Sequence, residues 1–329
     1  MKVVFSHSLP FSLAHGGMQT LIESLMRELS LLGIDVEPER WWDPTQTCDV
    51  MHFVQRPHQG NAELARQKGR KLLMTENYDV VASESRSRLL LRSWATRAAR
   101  TLVPGFDRRL SFYRELDALV YVVPHEWKVV QQIYGLPPEK GFIIPHGLDP
   151  SAIDALGKAE PEGDYLVSVG TICSRKNSVL LAMCAKQAKT PVVFVGKPLS
   201  TDDPYFIEFQ RLIDHKYVLY AGWVPEEEKF RILRGARGFV LLSRGESGCI
   251  ALYEASAAGL PLLVSDLPWA ANGYPASDRL HLVSLRNASG ISTRLKSFYE
   301  GAHRGKTMTF PIRTWAEVAQ MYLSVYEGL

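Results

Sequence analysis

Cysteine is scarce in this chain. The four residues, Cys48, Cys173, Cys184 and Cys249, stand far apart, with no CxxC pair and no ligand cluster around them. That spacing argues against a disulfide framework or a structural zinc, and a reducing cytoplasm suits it best. Long apolar runs are missing too: no uncharged stretch reaches the ~18 residues that a membrane helix needs. The N-terminus, MKVVFSHSLPFS, lacks the apolar centre of a signal peptide and reads as a first strand. Charge of one sign is not in excess. The 38 Lys and Arg stand against 35 Asp and Glu, and the resulting +3 is too small to imply nucleic-acid binding. A low-complexity tract, a short-period repeat and a complete GxGxxG fingerprint are likewise absent.

What is present points to a globular α/β protein. At ~150 residues per domain, 329 residues suggest two domains. Apolar residues at 46% and charged residues at 22% are ordinary for a soluble fold. Short apolar runs alternate with helical patterns almost throughout. Val3 to Phe5 is strand-like, and Met18, Leu21, Ile22, Leu25, Met26, Leu29 and Leu32 then recur at helical spacing before the stop at Gly33. Further strand candidates are 50–53, 72–75, 119–122 and 142–145, then 165–169, 192–195, 218–221, 239–242, 262–264 and 281–283. This alternation implies two doubly wound parallel sheets, one in 1–147 and one in 148–311, divided near the turn Pro145-His146-Gly147. Ligands of open parallel sheets bind outside the carboxyl ends of the strands, so the loops there are the places to look.

Three loops carry chemistry. The first, His15-Gly16-Gly17, follows the first strand and opens the first helix. Paired glycines let backbone amides approach a phosphate or sugar there, although an ordinary glycine loop fits equally well. The second, Gly170-Thr171-Ile172-Cys173-Ser174-Arg175-Lys176-Asn177, sets a planar donor fork beside a compact charge at a strand end. That pair suits a diphosphate, and the plainer reading is a solvated basic pair. The third runs from Glu246 through Ser247-Gly248-Cys249-Ile250 to Glu254, with seven residues between the two carboxylates. Carboxylates bind sugar and ribose hydroxyls, and the amides of Gly248, Cys249 and Ile250 face whatever sits at the helix start. Here the plainer reading is one Glu favourable to the helix dipole and one surface Glu.

Together these stretches resemble the family-4 retaining glycosyltransferases of the GT-B fold (glycosyl transferases group 1). ESGCIALYEASAAGLPLLVSD matches the family's two glutamates seven residues apart, followed by an Ala-rich helix ending in Gly-Leu-Pro. VSVGTICSRKN resembles its phosphate loop, AGWVPEEEKFRIL its base-contacting segment, IIPHGLD its interdomain turn and LAHGGMQTLIESLMREL its N-terminal glycine loop. TWAEVAQMYLSVYEGL resembles its terminal helix, which would return residues 312–329 to the first domain. The likeness spans nearly the whole chain and is clearest from 142 to 268.

The resemblance implies two Rossmann-like domains facing across a cleft, and a metal-independent hexosyltransferase with a nucleoside-diphosphate sugar of UDP or GDP type as donor. No cofactor is expected. Arg175 and Lys176 would hold the diphosphate, Glu246 the transferred sugar and Glu254 the ribose. Gly248, Cys249 and Ile250 would offer amides, Trp223 and Val224 would border the base, and Gly16 and Gly17 would approach from the other domain. Attack from the front face would retain the anomeric configuration, with Arg and Lys supplying the charge stabilisation. The acceptor would be a glycan, polysaccharide or glycolipid precursor.

Two departures from the family pattern stand out. Gly248-Cys249 replaces Phe-Gly. Asn77, in Thr75-Glu76-Asn77, occupies a place where many members carry His. Asn can hydrogen-bond a sugar hydroxyl but is no base at neutral pH, which favours a substrate-assisted mechanism. His52 and His125, near strand ends, are candidates to touch substrate, His125 and Asn77 being placed with Glu246 as catalytic candidates; a lone His is more often structural. A nucleotide-sugar epimerase and a non-catalytic sugar-nucleotide-binding protein remain the alternatives.

Residues 86–114 stand apart. They hold Arg86, Arg88, Arg92, Arg97, Arg100, Arg108, Arg109 and Arg114 against one acid, Asp107, interleaved with Leu, Trp, Phe and Tyr. Such a stretch suits a helix lying on an anionic membrane, here as a peripheral contact on the inner face. A solvated helix packed on its own domain is an equal reading, and nucleic acid is a weaker one.

Overall fold

A computed structural model describes residues 1–12, 16–58, 60–77, 79–102 and 112–329. The chain divides into two compact units, Met1–Gly147 with Arg313–Leu329, and Leu148–Ile312.

The first unit is built on six parallel strands, β1 (Lys2–Ser6), β2 (Asp35–Pro38), β3 (Val50–Val54), β4 (Lys71–Thr75), β5 (Ala118–Tyr121) and β6 (Gly141–Ile143). Their order is β2-β1-β3-β4-β5-β6. The chain leaves β1 towards β2 and returns on the other side at β3, so the carboxyl ends of β1 and β3 diverge. Strands β3 and β5 are buried along their whole length, as expected where helices cover both faces of a parallel sheet. Edge strand β2 is not among the strands expected from the sequence. Asp-Val-Glu-Pro carries one aliphatic residue, and its pairing comes from register with Lys2–Phe5.

Helix Gly17–Leu31 buries Leu21, Ile22, Leu25 and Leu29, one stripe at helical spacing. Helix Trp315–Glu327 starts at a capping box, in which the Thr314 hydroxyl accepts from the Glu317 amide and Glu317 accepts from the Thr314 amide. It packs beside Gly17–Leu31, so the last residues of the chain complete the first unit.

The second unit repeats the plan with β7 (Leu166–Val169), β8 (Val192–Val195), β9 (Val218–Gly222), β10 (Gly238–Leu241), β11 (Leu262–Ser265) and β12 (Leu280–Val283), ordered β9-β8-β7-β10-β11-β12, all parallel. Alternate residues of each strand enter two separate cores. Val167, Val169, Phe239, Leu241, Leu262 and Val264 face one side. Leu166, Val192, Phe194, Val240, Leu242 and Leu263 face the other. The strand order reverses between β7 and β10, and a crevice at their carboxyl ends follows from that reversal. Among the described residues, no helix is long and apolar enough to cross a membrane.

Candidate active site

The reversal point of the second unit positions a cluster of charge. The loop after β7 carries Arg175 and Lys176, and the loop after β10 carries Glu246. The two loops are stitched by backbone contacts: the Arg244 amide donates to the Arg175 carbonyl at 2.9 Å, and Arg175 Nη1 donates to the Gly245 carbonyl at 2.9 Å. Asn177 closes the first loop with a left-handed φ of 60°, a conformation Asn tolerates better than most residues, and precedes helix Ser178–Ala188.

Across these loops Arg175 Nη1 donates to Glu246 Oε2 at 2.9 Å, and Lys176 Nζ lies 2.7 Å from Glu246 Oε1. Lys176 Nζ also lies 3.7 Å from Cys249 Sγ. Burial works to raise the Glu246 carboxyl, but the two cations outweigh it and hold the group below its ordinary range. Burial likewise works against the Lys176 ammonium, and neighbouring negative charge at Cys249 and Glu246 more than restores it. Burial pushes the Cys249 thiol up, so at neutral pH it is Glu246 that carries this effect. Two cations thus converge on one carboxylate, leaving an excess positive charge at a strand-end crevice, where an anion is favoured.

A second carboxylate has a different partner. Glu254 lies on the buried helix Ile250–Ala257, and its Oε1 accepts from Lys229 Nζ at 2.6 Å. Burial raises the Glu254 carboxyl despite that lysine. Lys229 belongs to helix Glu226–Arg234, which follows Trp223 and Val224; Trp223 is exposed, and Val224 packs against the core. Of the three amides assigned to the helix start, that of Cys249 is donated to Tyr274 Oη at 3.0 Å. This corrects its expected role, because the hydroxyl of the partly buried Tyr274 already satisfies the donor. Gly248 and Ile250 flank it at the start of the helix.

Gly196, at the end of β8, was not singled out in the sequence. Its φ is +137°, and a Cβ there would fall onto the carbonyl oxygen of Gly170, the first residue of the Arg-Lys loop. Pattern reading has no access to this contact, since only strand pairing brings the two glycines together.

The first unit holds the other expected residues. Gly16 adopts φ 147° at the start of helix Gly17–Leu31, while His15 lies outside the described residues. Asn77, beyond the end of β4, reaches that helix: its Nδ2 lies 3.8 Å from Met18 Sδ, and its buried Oδ1 has no hydrogen-bond partner among the described residues. The glycine loop and Asn77 are therefore neighbours.

The His52 assignment needs correction, and His125 is held through one ring nitrogen. His52 is fully buried, its Nδ1 2.8 Å from Tyr326 Oη and its Nε2 2.8 Å from Thr75 Oγ1, and burial holds its pKa down to about 3. It is a neutral core residue with both ring nitrogens occupied, because the terminal helix covers β3. His125 Nε2 lies 2.8 Å from the Ala82 carbonyl. A carbonyl only accepts, so that nitrogen is the donor and is not a base. In addition, Glu76, beside Asn77, accepts from Arg56 at 2.7 Å and from Tyr121 at 2.8 Å, and Tyr113 donates to the same carboxylate. This network braces the end of β4. Among the described residues, no three His, Cys, Asp or Glu side chains gather as a metal site.

Residues 153–272 match the family described as Glycosyl transferases group 1. No curated protein matches the chain. Solved structures similar over the whole length include a sucrose-phosphate synthase from Thermosynechococcus elongatus, at 14% identity and TM-score 0.72, covering 100% of this chain and 99% of that one. Alr3699/HepE of Anabaena, in complex with UDP and glucose, is similar at 14% identity and TM-score 0.67 over 100% of both chains. The lipopolysaccharide outer core galactosyltransferase WaaB is similar at 12% identity and TM-score 0.66, again over 100% of both. The chain has the GT-B fold, and residues 153–272 of its second unit match a group 1 glycosyl transferase domain.

Proposed function

We propose that this protein is a glycosyltransferase that moves a hexose from a nucleoside-diphosphate sugar to a glycan, polysaccharide or glycolipid precursor with retention of configuration. The observation that carries the reading is the convergence of Arg175 and Lys176 on Glu246 at the strand reversal. The two cations hold the diphosphate and stabilise the charge that grows on it as the sugar leaves, so the step needs no metal ion. Glu246, kept ionised by them, accepts from hydroxyls of the transferred sugar. Glu254 meets the ribose, Trp223 and Val224 border the base, and Gly248 and Ile250 offer amides. Gly16, Gly17 and Asn77 serve the acceptor side, where Asn77 Oδ1 accepts a hydrogen bond from a hydroxyl of the acceptor.

In the step itself, the acceptor oxygen bonds to the anomeric carbon on the face that the diphosphate leaves. The anomeric carbon–oxygen bond breaks, and the acceptor proton passes to the departing diphosphate. The complexes of Anabaena HepE with UDP and with UDP-glucose support a uridine nucleotide. The enzyme works in the cytoplasm, peripherally at the inner membrane face. Helix Arg86–Leu102 supports that location: Leu89 and Ser93 pack on the first unit, while Leu90, Leu91 and Trp94 are exposed beside arginines. Residues 103–111 of the basic stretch lie outside the described residues.

A thermal-shift series with UDP-glucose, GDP-mannose and ADP-glucose tests the donor site. A ligand at ~100 times its Kd adds about 2.7 kcal/mol to the native state. An unmoved melting temperature with every nucleotide sugar would sink the reading. An inverted anomer in the product, read by proton NMR, would sink retention alone.

A further inference from the structure

The loop after edge strand β2 exposes two adjacent tryptophans, Trp42 at 95% and Trp41 at 56%. Isolated exposed apolar residues are common, but a pair of the largest side chains on one loop leaves much apolar surface in water. The loop beneath them is built. Glu39 donates its amide to the Phe5 carbonyl at 2.8 Å, and the Ser6 hydroxyl donates to Glu39 Oε2 at 2.5 Å. Buried Gln46 accepts from the Arg40 amide at 2.8 Å and donates to Glu37 at 2.9 Å. Asp43 accepts from the Thr45 amide at 2.9 Å and from Arg40 Nε at 2.9 Å. The crest carrying both rings is therefore held from each side, beside the carboxyl end of β1, where the strand order of the first unit reverses.

We infer that Trp41 and Trp42 form a stacking platform for an uncharged saccharide of the acceptor. The inference rests on the proposed transferase reading and deepens it. A pyranose presents an apolar C–H face, which an indole covers, and hydroxyls at its rim, which nearby carboxylates accept. The local charge selects among occupants. Asp35, Glu37, Glu39, Asp43 and Asp49 of this loop stand against Arg40 within it and against Lys2 and Arg70 packed on it, so the balance stays negative. Such a surface repels anionic lipid headgroups and phosphorylated or acidic sugars, so a neutral glycan is the occupant that fits both the rings and the charge.

The test titrates the full chain with maltohexaose, cellohexaose and chitohexaose and probes it on an array of uncharged glycans, reading tryptophan emission and retention. Phosphatidylglycerol vesicles are measured in parallel. At least one uncharged glycan should bind, with Kd raised roughly tenfold in Trp42→Ala, less in Trp41→Ala, and largely restored in Trp42→Phe. Both side chains project into solvent, so the variants should fold, and circular dichroism verifies this. Glycan binding that is equal in the Trp41→Ala/Trp42→Ala variant, or absent from the unaltered chain, overturns the platform. A variant that loses vesicle binding with no change towards glycans assigns the loop to a membrane and overturns it too. The melting shift with UDP-glucose is read alongside. Its failure in the unaltered chain counts against the donor site and leaves the glycan result to stand by itself.

Discussion

Lys176 Nζ lies 2.7 Å from Glu246 Oε1, and the two belong to loops that leave different strands on either side of the strand reversal. Lys176 is 11% exposed and Glu246 6%, whereas Arg175 keeps 38%. The lysine and the arginine therefore differ in what their loss does. Lys176→Met removes a partner from a buried pair and should cost about 3–5 kcal/mol in urea unfolding. Arg175→Met should cost clearly less. Each should weaken UDP-glucose binding roughly tenfold to a hundredfold by calorimetry, as for a charged hydrogen bond. Glu246→Gln should lower turnover more than Glu254→Gln. Unchanged donor affinity in the Arg175/Lys176 double variant would remove the phosphate assignment.

Gly196→Ala tests the floor of the same loop. The added methyl meets the Gly170 carbonyl, which is backbone and cannot swing aside, and the residue sits at φ +137°. Donor binding should fall together with stability. Gly301→Ala, with open space around its Cβ, is the control and should change neither. A Gly196→Ala protein with full donor affinity would show that the loop tolerates displacement.

His52 should shape the acid limb of stability. Its folded pKa of about 3 lies below the ordinary 6.5, so between those values the unfolded chain holds a proton that the native chain does not. Stability then rises with pH across this window and is lost as pH falls, by at most about 1.4 kcal/mol per pH unit from this group. His52→Leu strands the hydroxyl of Tyr326, while Thr75 keeps Tyr322 Oη at 2.9 Å, and should cost about 1–3 kcal/mol at pH 7. That cost should shrink at pH 5. Parallel stability curves for the two proteins would contradict the assignment.

Helix Arg86–Leu102 should bind anionic vesicles. Leu90, Leu91 and Trp94 are exposed, so Leu91→Glu with Trp94→Glu should fold normally and lose co-sedimentation with phosphatidylglycerol vesicles. Equal recovery of the unaltered protein with neutral and anionic vesicles would dispose of the membrane role.

Much of the architecture is legible from pattern. Each strand of the second sheet is a short aliphatic run between helical stretches, since both faces of a parallel sheet are buried. The Arg-Lys loop and the two glutamates are contiguous motifs, and order along the chain is enough to find them. Strand β2 escaped because its pairing is a matter of register, with Val36 as its single aliphatic residue. The burial of His52 has a related cause. Its place near a strand end suggested a ligand contact, but Tyr322 and Tyr326 arrive from the far end of the chain to cover it.

Local residue order by itself determined the alternation of strands and helices, the two sheets and the charged loops, because periodicity and turn chemistry act over a few residues. Tertiary structure alone decided which charges pair: Lys176 with Glu246, Lys229 with Glu254, and Arg56 with Glu76. It also decided which side chains water reaches, burying His52 and leaving Trp42 bare. Pairing and exposure depend on distances between segments remote in the chain, and those distances exist only once the sheets have formed.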